Sequence, residues 1–462
     1  MSTTDPKPAK GEEWRDLDLV LPEFDAADDA DILKDAEANI RAHRLRPVTF
    51  QLRDRTGKPL AQQHVQVELL RHAFPFGEQV WSLDAKYRNG EQNAAPARAW
   101  RNRFEEVFNA ATNLCYWTER PQNDASKTEE YQGENRVENF ADTVAWTRAK
   151  GMIAKGHPLF WSIPKCTPDW VKRYDIDTYW KFAEVRVRNL VARFRGQVTI
   201  WDVVNEALWE AAPQNMNARH WPHIESTEVM ADYIEKVMIW CREEDPDATY
   251  LINDYGLISK DQPKTGSDGS VVTASSQRKR YAALANELSA RGCAPDAIGC
   301  QGHTGFVPLR LLNDCLNELG SATGLPVHIT EFWASAKPLT ASGKFSPAEI
   351  QEILAEYIRR FVTVAYGNPH LEGFFFWGLM GSAIEWQPSG GHKLLPAYET
   401  VRKLLRETWW VKEDLQTNAD GEITLPLYAG EYAVRRRMEN GRDQGRRVHI
   451  AHPAPKVVPL QF

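Results

Sequence analysis

The amino-acid sequence predicts an α/β protein, a (β/α)8 TIM barrel with small β-elements at both termini. Eight short apolar or β-branched runs alternate with amphipathic stretches of helix length, the pattern of a parallel sheet. Polar side chains follow six of these runs, at the strand ends where barrels of this kind hold their reactive groups. A doubly wound open sheet is the alternative, but it normally carries a glycine-rich turn after its first strand, and this sequence shows none there.

The termini predict accessory elements outside the barrel. For residues 1–71 we predict a tail, a helix over residues 31–46 and a β-hairpin. The hairpin is predicted because apolar and polar residues alternate over residues 47–53 and 65–70, on either side of turn-forming residues. Residues 411–462 show a similar pattern of short, turn-punctuated strands. We expect the two terminal segments to be able to pack into one small β-module.

Residues 72–410 are assigned to the catalytic barrel. Its candidate strands are residues 74–80, 109–116, 152–161, 198–205, 249–254, 297–301, 327–331 and 373–377. Its candidate helices are residues 97–108, 136–150, 178–194, 226–244, 277–291, 308–319, 347–364 and 398–408. The polar segment 118–135 is interpreted either as a loop that closes part of a cleft or as a solvated excursion. The segment 261–276, rich in Ser, Gly and Asp, predicts a flexible loop.

Composition narrows the function classes. The 462 residues include 56 Lys and Arg against 63 Asp and Glu, a net charge of −7, which argues against a nucleic-acid partner. The sequence contains no apolar run long enough to span a membrane. Tryptophan is abundant, with 17 residues, and indole faces stack on the apolar faces of sugar rings. The aromatic content therefore favours a carbohydrate ligand, although most aromatic residues individually belong in a core.

The six cysteines form no pair or Cys/His spacing typical of zinc or redox sites. Cys293 and Cys300 lie near enough in sequence for a disulfide, but buried free thiols are at least as well supported. The first ten residues lack the apolar stretch of a secretory signal. That start fits either a cytoplasmic protein or a mature chain expressed behind an added Met.

Two glutamates at the ends of separate strands are the candidate catalytic residues. Glu206 ends the fourth strand and Glu331 the seventh, so the two carboxyl groups face each other across the barrel mouth. Glycoside hydrolysis needs one protonated carboxyl group to protonate the leaving oxygen and one ionised group to attack or to activate water. Taken alone, each glutamate is more often a solvated rim residue or a helix cap. The ordered set of polar strand ends favours catalysis.

Other strand ends supply candidate substrate contacts. Asn205 is placed to hydrogen-bond a sugar 2-hydroxyl, and His303 to orient Glu331 and keep it ionised. The remaining candidates around the sugar are His157, Trp161, Tyr255, Gln301, Trp377 and Trp386.

Six segments together resemble glycoside hydrolase family 10, a family of endo-β-1,4-xylanases. They are Gly156-His-Pro-Leu-Phe-Trp161, Trp201-Asp-Val-Val-Asn-Glu-Ala207, Asn253-Asp-Tyr255, Gly299-Cys-Gln-Gly-His303, Ile329-Thr-Glu331 and Phe376-Trp-Gly378 followed by Trp386. The resemblance covers residues 72 to 410. It implies a retaining double displacement with Glu331 as nucleophile and Glu206 as acid/base, and it implies no metal and no organic cofactor.

The second strand departs from the family pattern. The family carries a Glu-Asn pair and a Lys there, which hold the sugars on the side of the cleavage point that stays with the enzyme. This sequence keeps Asn113 and Trp117, lacks the Glu, and has Tyr116 where the Lys is expected. Asn113 and Tyr116 are therefore candidate substrate contacts, and the loss of the charged contacts is expected to alter which sugar is held.

Three functions remain open at this point. The first is a retaining endo-acting enzyme on β-1,4-xylan, and the second is a related hydrolase of another β-linked glycan or oligosaccharide. The third is a carbohydrate-binding protein on a barrel that has lost catalysis; a binder would leave polymer length unchanged. We expect a monomer whose partner is a polysaccharide or oligosaccharide. Because such a substrate lies outside the cytoplasm, we expect an extracellular or periplasmic location.

Overall fold

A computed structural model describes residues 26–80, 94–118, 137–438, 441–451, 453 and 455–462 of the chain. Helix α1 (Ala26–Asn39) comes first, continues into a wider turn over Ile40–Arg44, and leads to strands β1 (Leu45–Arg53) and β2 (His64–His72). The predicted helix over residues 31–46 therefore begins earlier and ends before β1.

Eight parallel strands then close into a barrel, which confirms the predicted fold class. They are β3 (Phe76–Gln79), β4 (Ala110–Leu114), β5 (Ile153–His157), β6 (Ile200–Asn205), β7 (Thr249–Asp254), β8 (Ala297–Cys300), β9 (Val327–Ala334) and β10 (Leu371–Phe376). Each strand pairs with the next, and β10 pairs with β3 to close the ring. The observed β7 has the bounds predicted from the sequence, whereas β9 extends three residues beyond its predicted end.

A helix follows each barrel strand. These helices are α2 (Ala95–Val107), α3 (Glu138–Ala149), α4 (Ile176–Arg193), α5 (Thr227–Glu244), α6 (Ala274–Ala290), α7 (Leu309–Thr323), α8 (Pro347–Gly367) and α9 (Pro396–Lys403). Their starts follow local chemistry: Asp175 and Ser226 cap α4 and α5, and Ser346 with Glu349 forms a capping box at α8.

Shorter elements decorate the strand-to-helix loops. They are the helical turns Pro164–Cys166, Val171–Arg173, Pro213–Asn215, Lys337–Ser342 and Leu379–Ser382, the strand pairs Lys264–Thr265 with Val271–Val272 and Ile384–Trp386 with His392–Leu394, and the two-residue strand His303–Thr304. The segment predicted as a flexible loop over residues 261–276 thus contains a small antiparallel hairpin and the first turn of α6. The predicted loop over residues 118–135 lies, after Thr118, outside the described residues.

The terminal strands pair with each other in two sheets. They are β11 (Lys412–Gln416), β12 (Glu422–Tyr428), β13 (Gly430–Arg437), β14 (Asp443–Ile450) and β15 (Val457–Gln461). One sheet has the order β12-β1-β15 and the other β11-β2-β13-β14. The predicted hairpin between residues 47–53 and 65–70 is wrong, because β1 and β2 lie in different sheets and each pairs with strands from the carboxyl-terminal segment.

All six cysteines are buried free thiols, so Cys293 and Cys300 form no disulfide with each other. No helix among the described residues is long and apolar enough to cross a membrane.

A buried ion pair fastens α1 to the barrel. Asp29 accepts a hydrogen bond from Arg360 of α8 at 2.8 Å, and the two side chains are only 4% and 9% exposed. Arg360 also contacts Glu356 at 2.8 Å, so its charge is balanced within the interface. A second contact at the same junction, between Asp28 and Arg310, is far more exposed. The two pairs provide a matched comparison of buried and exposed charge.

Replacing Arg360 with Met should lower the free energy of unfolding by about 3 kcal/mol, because it leaves Asp29 buried without its cationic partner. The same change at Arg310, an exposed partner of Asp28, should cost less than about 1 kcal/mol. Urea denaturation of the two variants beside the parent protein measures both effects. An equal loss of stability in the two variants would contradict the role assigned to the buried pair.

Candidate active site

The carboxyl ends of the barrel strands meet at one face, where Glu206 follows β6 and Glu331 lies within β9. Asn253, at the end of β7, joins the two strand ends. Its amide nitrogen donates to Asn205 Oδ1 and to Glu331 Oε1, each at 2.8 Å, and its oxygen accepts from Thr330 Oγ1 at 2.6 Å. Asn253 therefore fixes the positions of the predicted sugar-binding Asn205 and of Glu331.

Glu331 is held from several strands. Its side chain is 5% exposed, and its second oxygen, Oε2, lies 3.0 Å from His303 Nε2. His157 Nε2 approaches Oε1 at 3.8 Å. The structure thus brings together Glu331 and the two histidines predicted from the sequence.

A buried charge chain lies behind these contacts. Asp202 of β6 accepts a hydrogen bond from His157 Nδ1 at 2.7 Å, and Lys155 Nζ lies 2.5 Å from the same carboxylate. Burial alone would raise the pKa of Glu331, but electrostatic interaction with His157, His303 and Lys155 and the hydrogen bond from His303 outweigh it. The pKa of Glu331 is therefore lowered, and its carboxyl group is ionised near neutral pH.

Glu206 has the opposite environment. Burial raises its pKa well above the usual value, and electrostatic interaction with the nearby carboxyl groups of Glu331, Asp254 and Glu210 raises it further. A hydrogen bond from Gln301 Nε2 to Glu206 Oε1 at 2.8 Å acts in the other direction without reversing the shift. Glu206 therefore favours the protonated form.

The backbone at Glu206 is strained. Its φ is +63°, a left-handed conformation that residues with a side chain adopt at a cost of about 1 kcal/mol or more. The surroundings enforce it: the Glu206 N–H donates to the Asn253 carbonyl at 2.8 Å, and the Leu208 N–H donates to the Asp254 carboxylate at 2.8 Å. Burial raises the pKa of Asp254 to about 8. Asp254 thus shapes the loop that carries the Glu206 side chain into the barrel mouth.

Aromatic side chains surround His157. The Tyr116 ring packs edge-on at 5.7 Å and the Trp377 ring at 5.2 Å. Trp161 lies 5.9 Å from Tyr116, and its buried indole N–H has no hydrogen-bond partner among the described residues. These predicted site residues form one apolar wall next to Glu331.

A second aromatic group follows Glu206. Tyr255 stacks on Trp209 at 5.4 Å, and Trp209 stacks on Trp221 at 5.7 Å. The Tyr255 hydroxyl accepts a hydrogen bond from Trp221 Nε1 at 2.8 Å and donates to Glu210 at 3.3 Å. Stacked rings with a polar edge are a surface that suits sugar rings.

The contacts of two further predicted site residues, Asn113 and Trp386, are with other parts of the fold. The Asn113 amide, predicted to contact substrate, is fully buried: it donates to the carbonyls of Ala111 and Lys155, and its oxygen accepts from Thr147 of α3. The side chain therefore lies between β4 and its helix. The Trp386 indole N–H donates to the Met380 carbonyl, and its ring packs beside His392. Among the described residues, Trp386 forms no hydrogen bond or ring contact with either glutamate.

Four residues with clear roles in the geometry were not among the predicted site residues. Asn253 and Asp202 lie inside the family-like segments Asn253-Asp-Tyr255 and Trp201-Asp-Val-Val-Asn-Glu, so the sequence motif could have identified both. Lys155 immediately precedes Gly156 in the third strand, where an interior strand position gives no reason to expect a charge. Glu210 is an ordinary surface-type residue in sequence, and only the fold places it beside Tyr255.

The geometry combines a protonated and an ionised carboxyl group at one barrel mouth. That combination supplies both a proton donor and a nucleophile or base, which is the requirement for cleaving an acetal bond between sugars. The aromatic groups on both sides of the pair supply surfaces for ring stacking.

The strain at Glu206 generates a test of stability. Glu206→Gly should be more stable than Glu206→Ala by about 1 kcal/mol, because glycine adopts positive φ without steric cost. Both variants remove the same carboxyl group, so the comparison isolates the backbone term. Thermal or urea unfolding of the two proteins measures the difference. A more stable alanine variant, the usual order within regular structure, would show that the loop relaxes to another conformation.

Comparisons with known proteins agree with this site. Residues 102–395 match Glycosyl hydrolase family 10. Endo-1,4-beta-xylanase B of Thermotoga neapolitana is 29% identical over 280 residues, which cover 57% of this chain and 72% of that protein. Anti-sigma-I factor RsgI6 of Acetivibrio thermocellus is 24% identical over 411 residues, 86% of this chain but only 46% of that protein.

Solved structures show the same fold. Xylanase 10B from Thermotoga petrophila, in complex with xylobiose, superposes with a TM-score of 0.52 at 20% identity and covers 72% of this chain and 94% of its own. A GH10 endoxylanase retrieved from a sugarcane soil metagenome superposes with a TM-score of 0.54 at 19% identity. The match covers 72% of this chain and 97% of that protein. The family match extends over more than half of the sequence, and the chain belongs to glycosyl hydrolase family 10 as a xylanase-like hydrolase.

Proposed function

We propose that the chain is a retaining, endo-acting glycoside hydrolase that cleaves β-1,4-xylan through a glycosyl-enzyme intermediate. Glu331 is the nucleophile, and Glu206 is the general acid and then the general base. The observation that carries the proposal is the opposite direction of the two pKa shifts, since a pair of carboxyl groups with divergent environments divides the acid and nucleophile roles.

In the first step, a Glu331 oxygen attacks the anomeric carbon while Glu206 transfers its proton to the leaving oxygen. The bond between the two sugars breaks, and the glycone remains as an ester on Glu331. Glu206, now ionised, takes a proton from water in the second step, and the water oxygen displaces Glu331. The hydrogen bonds from His303 and Asn253 to Glu331 hold each oxygen in place for attack.

The sugar contacts follow from the same geometry. Asn205 has its oxygen occupied by Asn253, which turns the amide so that its nitrogen is the group left to donate to a sugar hydroxyl. The unpartnered indole N–H of Trp161 is a further donor, and His157 borders the same space. Xylan is the first substrate to consider because the related enzymes are named as endo-1,4-beta-xylanases. Because such a polymer lies outside the cytoplasm, the proposed location is extracellular or periplasmic, and the proposed oligomeric state is a monomer.

The strand-two region favours a second candidate, a hydrolase of a different β-linked glycan. Tyr116 presents an aromatic ring beside His157 and Trp161, where the family pattern has a cationic lysine. Asn113 faces α3 and offers no contact to a ligand. Loss of these polar contacts changes which hydroxyl groups are satisfied, and a site of this kind discriminates strongly against sugars that leave its groups unpaired.

Release of reducing ends by the purified protein from xylan, mixed-linkage β-glucan and mannan tests the proposal. We expect release from xylan to exceed release from the other two polymers, with a rapid fall in viscosity that marks internal cleavage. The Glu331→Gln variant is the control and should release nothing. Activity confined to another glycan would support the second candidate, and inactivity on every glycan would contradict both.

Variants of the two glutamates test their separate roles. Glu331→Ala should abolish turnover of every substrate. Glu206→Ala should slow xylan cleavage about 10³-fold, within the usual range for losing a general acid, yet spare the first step with an aryl xylobioside whose dinitrophenolate leaves without protonation. Pre-steady-state and steady-state release of the phenolate measures this. Equal losses on xylan and on the activated substrate would contradict the acid assignment.

A further inference from the structure

A cavity of about 510 Å3 lies at the amino-terminal face of the barrel, at the opposite end from the two glutamates. Its wall contains Asn109 and Met152, which directly precede β4 and β5, together with Arg71 of the accessory strand β2. The other charged residues of the wall are Glu105, Glu106, Lys150, Arg402 and Arg406. The cavity is therefore at the junction between the barrel and the accessory sheet, on the face that barrels of this kind do not use for catalysis.

Arg406 brings a positive charge into this wall without a carboxylate partner. Its guanidinium donates through Nε to the Glu106 carbonyl at 2.8 Å and through Nη2 to the Glu105 carbonyl at 3.3 Å. It also lies 4.9 Å from the centre of the Trp410 ring. These hydrogen bonds use two of the five N–H donors of the side chain. Within the part of the chain that the structure describes, Arg406 forms no ion pair.

Arg71 approaches the same cavity from β2. It donates to the backbone carbonyls of Gly151 and Lys150, just after α3, and its ion pair with Glu431 is long, at 4.0 Å. Burial lowers the pKa of Arg406 to about 10, and the charge of Arg71 contributes to the shift. The two guanidinium groups therefore repel each other across the cavity.

The remaining charged groups of the wall have closer partners. The pairs are Glu105 with Lys150 at 2.8 Å, Glu106 with Arg103, and Arg402 with Glu399 and Glu407 at 2.9 and 3.0 Å. The charge of Glu106 acts against the pKa shift of Arg406 without reversing it. Among the described residues of the wall, Arg71 and Arg406 are thus left without a carboxylate closer than 4.0 Å, and the cavity has an excess of positive charge.

We propose that the cavity binds a phosphate group between the guanidinium groups of Arg71 and Arg406. The planar fork of arginine matches phosphate oxygens, and a group with two negative charges balances both arginines, whereas a single carboxylate balances one. The volume lies within the range of about 300–1,000 Å3 typical of small-molecule pockets, so there is room for inorganic phosphate or for a sugar phosphate. A phosphate group held here joins the accessory sheet to the barrel and stabilises their junction. The site is independent of the proposed function.

Isothermal titration calorimetry at constant ionic strength tests the site, at about pH 8, where phosphate groups carry nearly two negative charges. The titrants are inorganic phosphate, glucose 6-phosphate and acetate. We expect both phosphates to bind, and acetate to bind at least about tenfold more weakly because it has one charge and fewer acceptor oxygens. Tighter binding of glucose 6-phosphate would identify a sugar phosphate as the ligand, and equal or weaker binding would identify the free ion.

Substitutions assign the binding to the two arginines. Arg406→Gln and Arg71→Gln should each weaken phosphate binding about tenfold, because each removes charge-assisted hydrogen bonds. Arg447→Gln, at an exposed position of β14, removes the same charge from the accessory sheet and is the matched control, with unchanged affinity.

Thermal unfolding provides a second measurement. Phosphate should raise the Tm of the parent protein and of Arg447→Gln more than the Tm of Arg406→Gln, since a ligand stabilises only the protein that binds it. Comparison with each variant's own phosphate-free Tm keeps this test valid if Arg406→Gln is itself less stable. Acetate binding as tight as phosphate binding, or equal phosphate affinity in the parent protein and both cavity variants, would overturn the site.

Discussion

The site depends on keeping one carboxylate ionised where almost no water reaches it. Glu331 is 4% exposed, and transferring an unpaired charge to such a position costs several kcal/mol. The cost is offset by groups from separate strands, His157 of β5 and Asn253 of β7, and by His303 after β8. Each of these contacts requires its strand to lie in one register. The need to stabilise the charge of the Glu331 carboxylate therefore constrains the positions of several strand ends at the barrel mouth.

Small residues make room for this arrangement. A β-carbon at Gly299 would lie 2.5 Å from the Asn253 amide oxygen, so any larger residue would displace the group that holds Glu331. A β-carbon at Gly156 would lie 2.2 Å from the ring of Trp201, which is fully buried in the core. The glycines in the segments that begin at Gly156 and Gly299 are thus explained by close packing behind the site, and not by contact with a ligand.

The two glutamates differ although both are largely buried, and the difference comes from their neighbours. Glu331 is surrounded by two histidines and receives the more distant charge of Lys155. Glu206 is surrounded by carboxyl groups, with Gln301 as its neutral hydrogen-bond donor. Exchanging these surroundings would exchange the protonation states. The division of roles is therefore a property of the strands adjacent to each glutamate.

The sequence was sufficient to predict those features that depend on local pattern. Alternation of strand and helix patterns predicted the barrel, and position at a strand end predicted Glu206 and Glu331. The hairpin prediction failed because β1 and β2 pair with strands more than 300 residues away, and alternation does not identify a partner. The contacts of Asn113 with α3 were not predicted for a related reason: a one-residue shift along a strand moves a side chain from one face to the other. The charge of Lys155 inside the barrel has no local signal at all.

The positions of the cations suggest where substrate selectivity arises. On the strand-two side the expected lysine is replaced by Tyr116, and the resulting wall of Tyr116, Trp161 and His157 offers ring surfaces with few donors. Instead, Lys165 and Arg219, in the loops after β5 and β6, form no ion pair with any of the described residues. Aromatic stacking tolerates many sugars, whereas a charged group distinguishes ligands by their own charge. Under the proposed function, this distribution favours recognition of the retained sugar by the shape of the aromatic wall.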